Sequence, residues 1–129
     1  NVAVLAGGLD HIYPSSSQPL AERILAGGGG LVSELPPGQL PFKGRFPWRN
    51  RLISGLSHGL WVVQGPRRSG SRHTVSHALS QDREIGATPG DVFTELSETP
   101  HDLLRDGAQI ILSSQDLLML LRRGFEKIF

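Results

Sequence analysis

The chain has 129 residues with 38% apolar and 19% charged side chains and a formal net charge of +1, the profile of a globular domain with a hydrophobic core. It contains no cysteine, which excludes disulfides and thiolate metal sites. No apolar run approaches the roughly 20 residues that cross a bilayer, and we expect a cytoplasmic protein that does not enter the membrane.

Basic residues are concentrated in the middle of the chain. No Asp or Glu occurs between Leu35 and Gln81, whereas acids outnumber bases from Asp82 onward. A stretch without acids predicts a basic face, and a basic face favours a polyanion as partner. The basic residues of this stretch are Lys43, Arg45, Arg49, Arg51, Arg67, Arg68 and Arg72.

The first predicted elements are two strands separated by a helix. The apolar run at residues 2–6 stops at Gly7 and Gly8, as a strand buried on both faces would. Residues 20–25 predict a short helix and residues 31–33 the second strand. Because the chain begins inside a strand, we expect that the N-terminal part of a larger domain is missing from this sequence.

The stretch at residues 43–57 is the most distinctive part of the sequence. It predicts a loop carrying Lys43 and Phe46, which turns at Pro47 into a helix. Free N–H groups and partial positive charge at a helix N-terminus attract anions. The alternative is a proline-capped helix with solvated charges. The polar residues predicted in its first turn are Arg49, Asn50 and Arg51.

Three further strands alternate with helices in the rest of the chain. Strands are predicted at residues 60–63, 84–87 and 109–112. Helices are predicted at residues 71–80, around Leu103 and Leu104, and from 114 to about 127. Trp61 is predicted to lie in the core and Trp48 to be a packing residue.

This alternation predicts a Rossmann-like α/β domain of three layers with a mainly parallel sheet. Residues 1–129 are expected to be the C-terminal portion of that domain. Ligands bind such sheets beyond the carboxyl ends of the strands. We therefore expect Gly7 and Gly8 and the loops after residues 33, 63 and 87 to share one ligand edge.

Two glycine-containing segments are candidate anion sites. Gly7 and Gly8 either let a phosphate reach the backbone or only make a tight turn. Their pattern is not GxGxxG, so no dinucleotide cofactor is indicated. The loop Arg68-Ser69-Gly70-Ser71 is either an anion nest or a serine N-cap beside solvated arginines.

Metal and catalytic patterns are weak. His73 and His77 have the spacing of a two-histidine metal face, but Thr74 stands where an HExxH motif has glutamate. We expect no metal, no cofactor and no catalytic residue.

Lys43 and Phe46 give the basic stretch a specific interpretation. A cationic track beside an aromatic stacking platform is what a site for single-stranded nucleic acid needs. Packing of Phe46 onto the following helix as a hydrophobic staple is the alternative.

Several segments, in order and at similar spacing, resemble the DprA/Smf family (DNA-processing protein A). The most specific is the FPWRNRLISGLS run at residues 46–57. The others are Gly8-Leu9-Asp10, Ile12-Tyr13-Pro14, Ser33-Glu34-Leu35-Pro36-Pro37-Gly38, Ser69-Gly70-Ser71, Pro89-Gly90 and Leu103-Leu104 through Gly107-Ala108. The resemblance spans nearly the whole chain and corresponds to the second half of the family's Rossmann-like domain.

The resemblance implies a non-enzymatic cytoplasmic protein of bacterial natural transformation. Such a protein binds and protects incoming single-stranded DNA, loads a RecA-type recombinase and acts as a homodimer, with its protein contacts broadly at residues 74–107. By the same resemblance, Lys43 would contact a DNA phosphate and Phe46 would stack on a base. The residues that would line or brace this pocket are Arg49, Asn50 and Arg51.

Some positions depart from the family pattern. Ala6 stands where glycine is usual, Arg72 and His73 replace an apolar pair, and residues 99–102 replace a glycine-containing stretch. The alternative function is that of a nucleotide-processing, phosphoribohydrolase-like enzyme of a related Rossmann-like group. That group resembles this chain less well, because the loop at residues 68–74 lacks the glutamate of the group's PGGxGTxxE motif.

Overall fold

The strands of this chain pair only in parallel in the part that the computed structural model describes, residues 1–128. The pairs form two sheets, one of two strands and one of three. The chain itself divides after Leu52 into two units. The parallel pairing and the alternating helices confirm the predicted α/β class.

The first unit contains a strand-helix-strand arrangement. Its elements are β1 (Val2–Val4), α1 (Gln18–Ala26) and β2 (Gly30–Val32). Val2 lies opposite Gly30 in the parallel register. Val2 is 62% exposed, so the prediction of a strand buried on both faces is wrong at this end of β1.

Helix α2 (Arg45–Gly55) begins two residues before the predicted turn at Pro47. Pro47 is accommodated in the first turn, where its missing N–H has no intrahelical partner to lose. Phe46 is therefore a helical residue and not a loop residue, so the hydrophobic staple that needs it before the helix is excluded. The three polar residues predicted for the first turn, residues 49–51, lie in the second.

The second unit is a three-stranded sheet in the order β3-β4-β5 with helices against both faces. The helix at residues 71–80 and the strand at residues 84–87 have the predicted bounds. The last strand ends at residue 110, two residues before the predicted end. The elements are β3 (Gly59–Val62), α3 (Ser71–Ser80), β4 (Glu84–Ala87), α4 (Glu98–Arg105), β5 (Gln109–Ile110) and α5 (Ser114–Ile128).

One face of this sheet holds the main core, which joins β3 and β4 to α3 and α4. The buried residues of this core are Val62, Val75, Ala78, Ile85, Ala87 and Leu103. The opposite face carries Gly59 and Gly86, where an added β-carbon would lie 3.4 and 3.3 Å from a methyl of Leu120. These glycines let α5 approach the sheet, and Leu120 is fully buried there. Helices on both faces confirm the three layers.

The structure contradicts the predicted burial of both tryptophans. Trp61 is 44% exposed and Trp48 is 64% exposed. Alternation along β3 places Trp61 on the face opposite Leu60 and Val62, and on that face α5 packs onto glycines. None of the helices in residues 1–128 combines the length and the apolar character needed to cross a membrane.

Candidate nucleic-acid interface

Lys43 lies in the exposed turn that leads into α2. The turn is closed by the Arg45 N–H, which donates to the Phe42 carbonyl at 2.9 Å. Among residues 1–128 no carboxylate forms an ion pair with the Lys43 ammonium. An exposed ammonium without an acidic partner is suited to a phosphate contact.

Three arginines lie over aromatic rings along this segment. The guanidinium carbons lie 4.7, 5.8 and 5.1 Å from the ring centroids, within the range of cation–π contacts. Each aromatic residue precedes its arginine by three positions, a spacing visible in the sequence that would have singled out Phe42 and Trp48. The pairs are Phe42 with Arg45, Phe46 with Arg49, and Trp48 with Arg51.

Phe46 is a half-buried ring with two aromatic or cationic neighbours. Its centroid lies 6.1 Å from that of Tyr13, with the planes tilted by 57°. The Arg49 guanidinium lies 5.8 Å from the same centroid. These contacts hold the ring in place, so Phe46 can act as a preorganised stacking platform.

Arg49 braces α2 against the end of β1. One terminal nitrogen donates to the Val4 carbonyl, and Nε donates to Asn50 Oδ1 at 3.3 Å. Burial lowers the pKa of Arg49 below its usual value, but a guanidinium remains charged at neutral pH. The Arg49 guanidinium is therefore a positive charge held at a fixed position next to the Phe46 ring.

Arg51 is paired with an acid that lies just outside the stretch of sequence without acids. Its NH2 group forms an ion pair with Glu34, one residue before the acid-free stretch. The side chains are 33% and 41% exposed, so the pair is screened by solvent. Arg51 contributes less free positive charge to this surface than the sequence indicated.

Gly7 and Gly8 pack so closely against the loop after β2 that a side chain would not fit at either position. Both are buried, and the Gly8 N–H already donates to the Gln39 carbonyl at 2.8 Å. A β-carbon would lie 2.9 Å from Pro41 Cδ at Gly7 and 2.6 Å from the Pro36 carbonyl oxygen at Gly8. This packing favours the alternative in which the two glycines make a tight turn over the one in which a phosphate reaches their backbone.

Asp10 anchors this loop. Its two carboxylate oxygens accept from the Gly38 N–H at 3.0 and 2.8 Å, and Oδ2 lies 3.0 Å from His11 Nδ1. Desolvation acts in the opposite direction, but the hydrogen bonds from His11 and Gly38 hold the pKa of Asp10 below its usual value. The carboxylate therefore stays ionised, and the loop stays anchored, at neutral pH.

A cavity of about 180 Å³ lies beside α2 within the first unit. Ala6, Arg45, Trp48 and Arg49 are among the residues that line it. Lys43 and Phe46 do not line it, so the cavity is distinct from the pair predicted to hold phosphate and base. Arg45 and Trp48, which the prediction did not assign, add a cation and an aromatic ring to it.

The predicted anion loop at residues 68–71 belongs to the second unit, whereas the other predicted site residues belong to the first. The N-cap of α3 is Gly70 and not a serine. Ser69 Oγ accepts from the Ser71 N–H at 3.2 Å and lies 2.8 Å from Ser71 Oγ. A serine N-cap, one of the two alternatives predicted for this loop, is therefore wrong, because Gly70 occupies the N-cap position and Ser69 accepts from the first helical N–H from one residue earlier.

Asp102 reduces the positive charge near this loop. Its Oδ2 lies 3.6 Å from Arg67 Nε and 3.3 Å from an Arg72 NH group. Arg68 is exposed and forms no ion pair with the residues that the structure describes. Arg68 is therefore the cation of this loop that remains available to an anion.

Metal and nucleophile sites find no support in the described part of the chain. No group of three potential metal ligands occurs within residues 1–128, which include His73 and His77. A GxSxG spacing is present at residues 55–59, but it leads from a helix into a strand, the reverse of a nucleophile elbow. Ser57 Oγ donates to the Ile53 carbonyl at 2.6 Å, a contact within one helical turn.

Comparison with known proteins places these features in a family. The family described as DNA recombination-mediator protein A matches residues 1–122. DNA processing protein DprA of Bacillus subtilis is 46% identical over 116 residues, which is 90% of this chain and 39% of that protein. The chain thus spans about two fifths of this relative's length.

Two solved structures share the fold. DprA of Streptococcus pneumoniae superposes with a TM-score of 0.81 at 38% identity, covering 92% of this chain and 41% of that one. DprA of Helicobacter pylori, reported for its single-stranded DNA binding mode, gives a TM-score of 0.77 at 24% identity over 98% of this chain and 56% of that one. With the match over residues 1–122, the chain belongs to the DNA recombination-mediator protein A family, the DprA/Smf family of the sequence analysis.

Proposed function

We propose that this chain binds single-stranded DNA and that residues 1–129 form the C-terminal portion of a Rossmann-like DNA-processing domain. The observation that carries the proposal is the exposed Lys43 ammonium three residues before Phe46, a ring held by Arg49 and Tyr13. A phosphate contact and a stacking surface so close together match one nucleotide of a single strand.

Each residue has a separate role in the proposed interface. Lys43 contacts a phosphate, and Phe46 stacks on a base. Arg49 and Asn50 hold the Phe46 ring in place, and Arg51 lines the pocket in which Lys43 and Phe46 bind the nucleotide. The loop at residues 68–71, in the second unit, is a separate candidate for contact with a DNA phosphate through Arg68. Gly7 and Gly8 serve by admitting the loop after β2, not by touching DNA.

The wider role is that of a non-enzymatic, cytoplasmic mediator of natural transformation. In this role the homodimeric protein protects incoming DNA and loads a RecA-type recombinase onto it. The family description as a recombination mediator supports the recombinase. The single-stranded DNA binding mode reported for the Helicobacter pylori relative supports the DNA partner.

Lys43→Ala is expected to weaken binding to oligonucleotides of every sequence. Because one phosphate contact is lost, the slope of log K against log salt should become shallower by about 0.7, the value for one single-strand phosphate. Fluorescence anisotropy with two oligonucleotides of different sequence, measured across a salt series, checks both expectations.

The matched control is Arg23→Ala, which removes the same charge from an exposed position on α1. It should leave the slope and the affinity close to those of the unmodified chain. Equal effects of the two substitutions would show that Lys43 acts only through net charge, and would remove the site assignment.

A further inference from the structure

A second cavity, of about 410 Å³, lies at the carboxyl ends of the strands in the second unit. Its volume is in the range of small-molecule sites, and its position is where parallel sheets bind ligands. Neither Lys43 nor Phe46 lines it. Its lining includes Trp61, Thr88, Ile111, Leu112, Ser113 and Leu117.

Trp61 is fixed in this cavity by a chain of hydrogen bonds. Its Nε1–H donates to Thr88 Oγ1 at 2.8 Å, and Thr88 Oγ1 donates to the Ile111 carbonyl at 3.2 Å. The Thr88 N–H donates to the Val62 carbonyl at 3.1 Å, so the chain joins the ends of all three strands. Because the only polar atom of the indole is used, the ring offers the cavity an apolar π surface.

The surroundings select against a negatively charged ligand. Asp116 Oδ2 accepts from the Leu112 N–H at 3.0 Å, the Ser113 N–H at 2.9 Å and Ser113 Oγ at 2.8 Å. The hydrogen bond from Leu112, followed by those from Ser113, lowers the pKa of Asp116, so its carboxylate stays ionised. Because the Asp116 carboxylate already occupies these donors at the start of α5, they are not available to a phosphate, and a neutral ring is the favoured occupant.

We propose that this cavity binds an uncharged nucleobase, stacked on the indole of Trp61 between the apolar side chains of Leu112 and Leu117. The hydroxyl protons of Thr88 and Ser113 are already donated within the protein, so each oxygen offers its remaining lone pair as an acceptor for an amino group on the edge of the base. The base comes either from a free nucleoside or from an unpaired position of a DNA strand. This site adds to the proposed DNA binding a contact with a base that involves no phosphate.

Fluorescence of Trp61 tests the site directly. The chain has two tryptophans, so Trp48→Phe leaves Trp61 as the only one. Titration of this variant with deoxyadenosine, which has no phosphate, should give a saturable loss of Trp61 emission. Adding Leu112→Glu should weaken the apparent affinity on the order of tenfold, as loss of one stacked base would.

The matched control is Leu79→Glu, which introduces the same charge at a leucine that is 63% exposed and does not line the cavity. It should leave the titration unchanged. A quench that rises linearly without saturating, or a saturable curve equally affected by both substitutions, would overturn the proposal.

An adenine oligonucleotide then identifies the source of the base. If Leu112→Glu weakens oligonucleotide binding more than Leu79→Glu does, the cavity takes a base of the strand. If the two bind equally while the nucleoside titration differs, the cavity takes a free nucleoside. The salt-slope test of Lys43 does not depend on either result, so the two proposals fail separately.

Discussion

Phe46→Ala is expected to weaken binding of a single-stranded oligonucleotide by about 1–3 kcal/mol, the contribution of one base stacked on an aromatic side chain. That corresponds to a rise in Kd of about 5- to 150-fold. The salt slope should hardly change, because the substitution removes a stacking surface and leaves the phosphate contact of Lys43 in place. Anisotropy titrations at several salt concentrations measure both quantities.

Two further substitutions separate stacking from packing at this position. Phe46→Tyr keeps an aromatic face and should bind nearly as the unmodified chain does. Phe46→Leu keeps apolar contact with Tyr13 but has no π face, so it should bind as poorly as Phe46→Ala. An affinity for Phe46→Leu equal to that of the unmodified chain would mean that Phe46 only packs.

Leu120→Ala is expected to lower the free energy of unfolding by about 2–5 kcal/mol, the range for truncating a buried leucine. Leu120 is fully buried against Gly59 and Gly86, and glycines have no side chains that can move to fill the space. Gly124, one turn further along α5, packs against the His58 backbone with no room for a β-carbon, so a rotation of the helix to fill the space would bring a side chain into that contact. Urea denaturation measures the loss.

Leu118→Ala is the control for this prediction. Leu118 is two residues away in α5 and 60% exposed, so the same truncation should change the free energy of unfolding by no more than about 0.5 kcal/mol. Equal losses for the two variants would contradict the packing of α5 through Leu120.

Regular elements of the second unit could be predicted because periodicity and turn residues agree there. Ser71–Ser80 and Glu84–Ala87 have the predicted bounds. Of the three apolar residues predicted on one face of α3, Val75 and Ala78 are buried and Leu79 is 63% exposed. Trp61 could not be predicted, since its environment depends on a neighbouring strand. Gly86 lies beside it in the sheet, and no bulky side chain at that position covers the indole.

The ion-pair partners of the basic residues also could not be predicted from the sequence. A linear map shows no acids between residues 35 and 81, yet Glu34 pairs with Arg51 and Asp102 pairs with Arg67 and Arg72. Those contacts join residues 17 to 35 positions apart, which no local pattern reports. Fewer of the basic residues are therefore unpaired than the sequence indicated: Lys43 in the first unit and Arg68 in the second are exposed and form no ion pair in residues 1–128.

Contacts between aromatic rings and arginines could have been predicted from the spacing of these residues in the sequence. An aromatic residue followed three positions later by arginine occurs at 42 and 45, 46 and 49, and 48 and 51, and the structure forms all three contacts. Phe46 was the one ring of the three predicted to stack on a base, because Trp48 was predicted to be a packing residue. Side chains that stack on arginine can remain exposed, as Trp48 does.

If Lys43 and Phe46 hold a single strand of DNA, labelled single-stranded and double-stranded oligonucleotides of one sequence should bind differently. Equilibrium anisotropy should show that the unmodified chain prefers the single strand, whose bases are free to stack on Phe46. The double variant with Lys43→Ala and Phe46→Ala should lose that preference while its circular dichroism spectrum shows that it remains folded. Single-strand binding by the double variant equal to that of the unmodified chain would contradict the account.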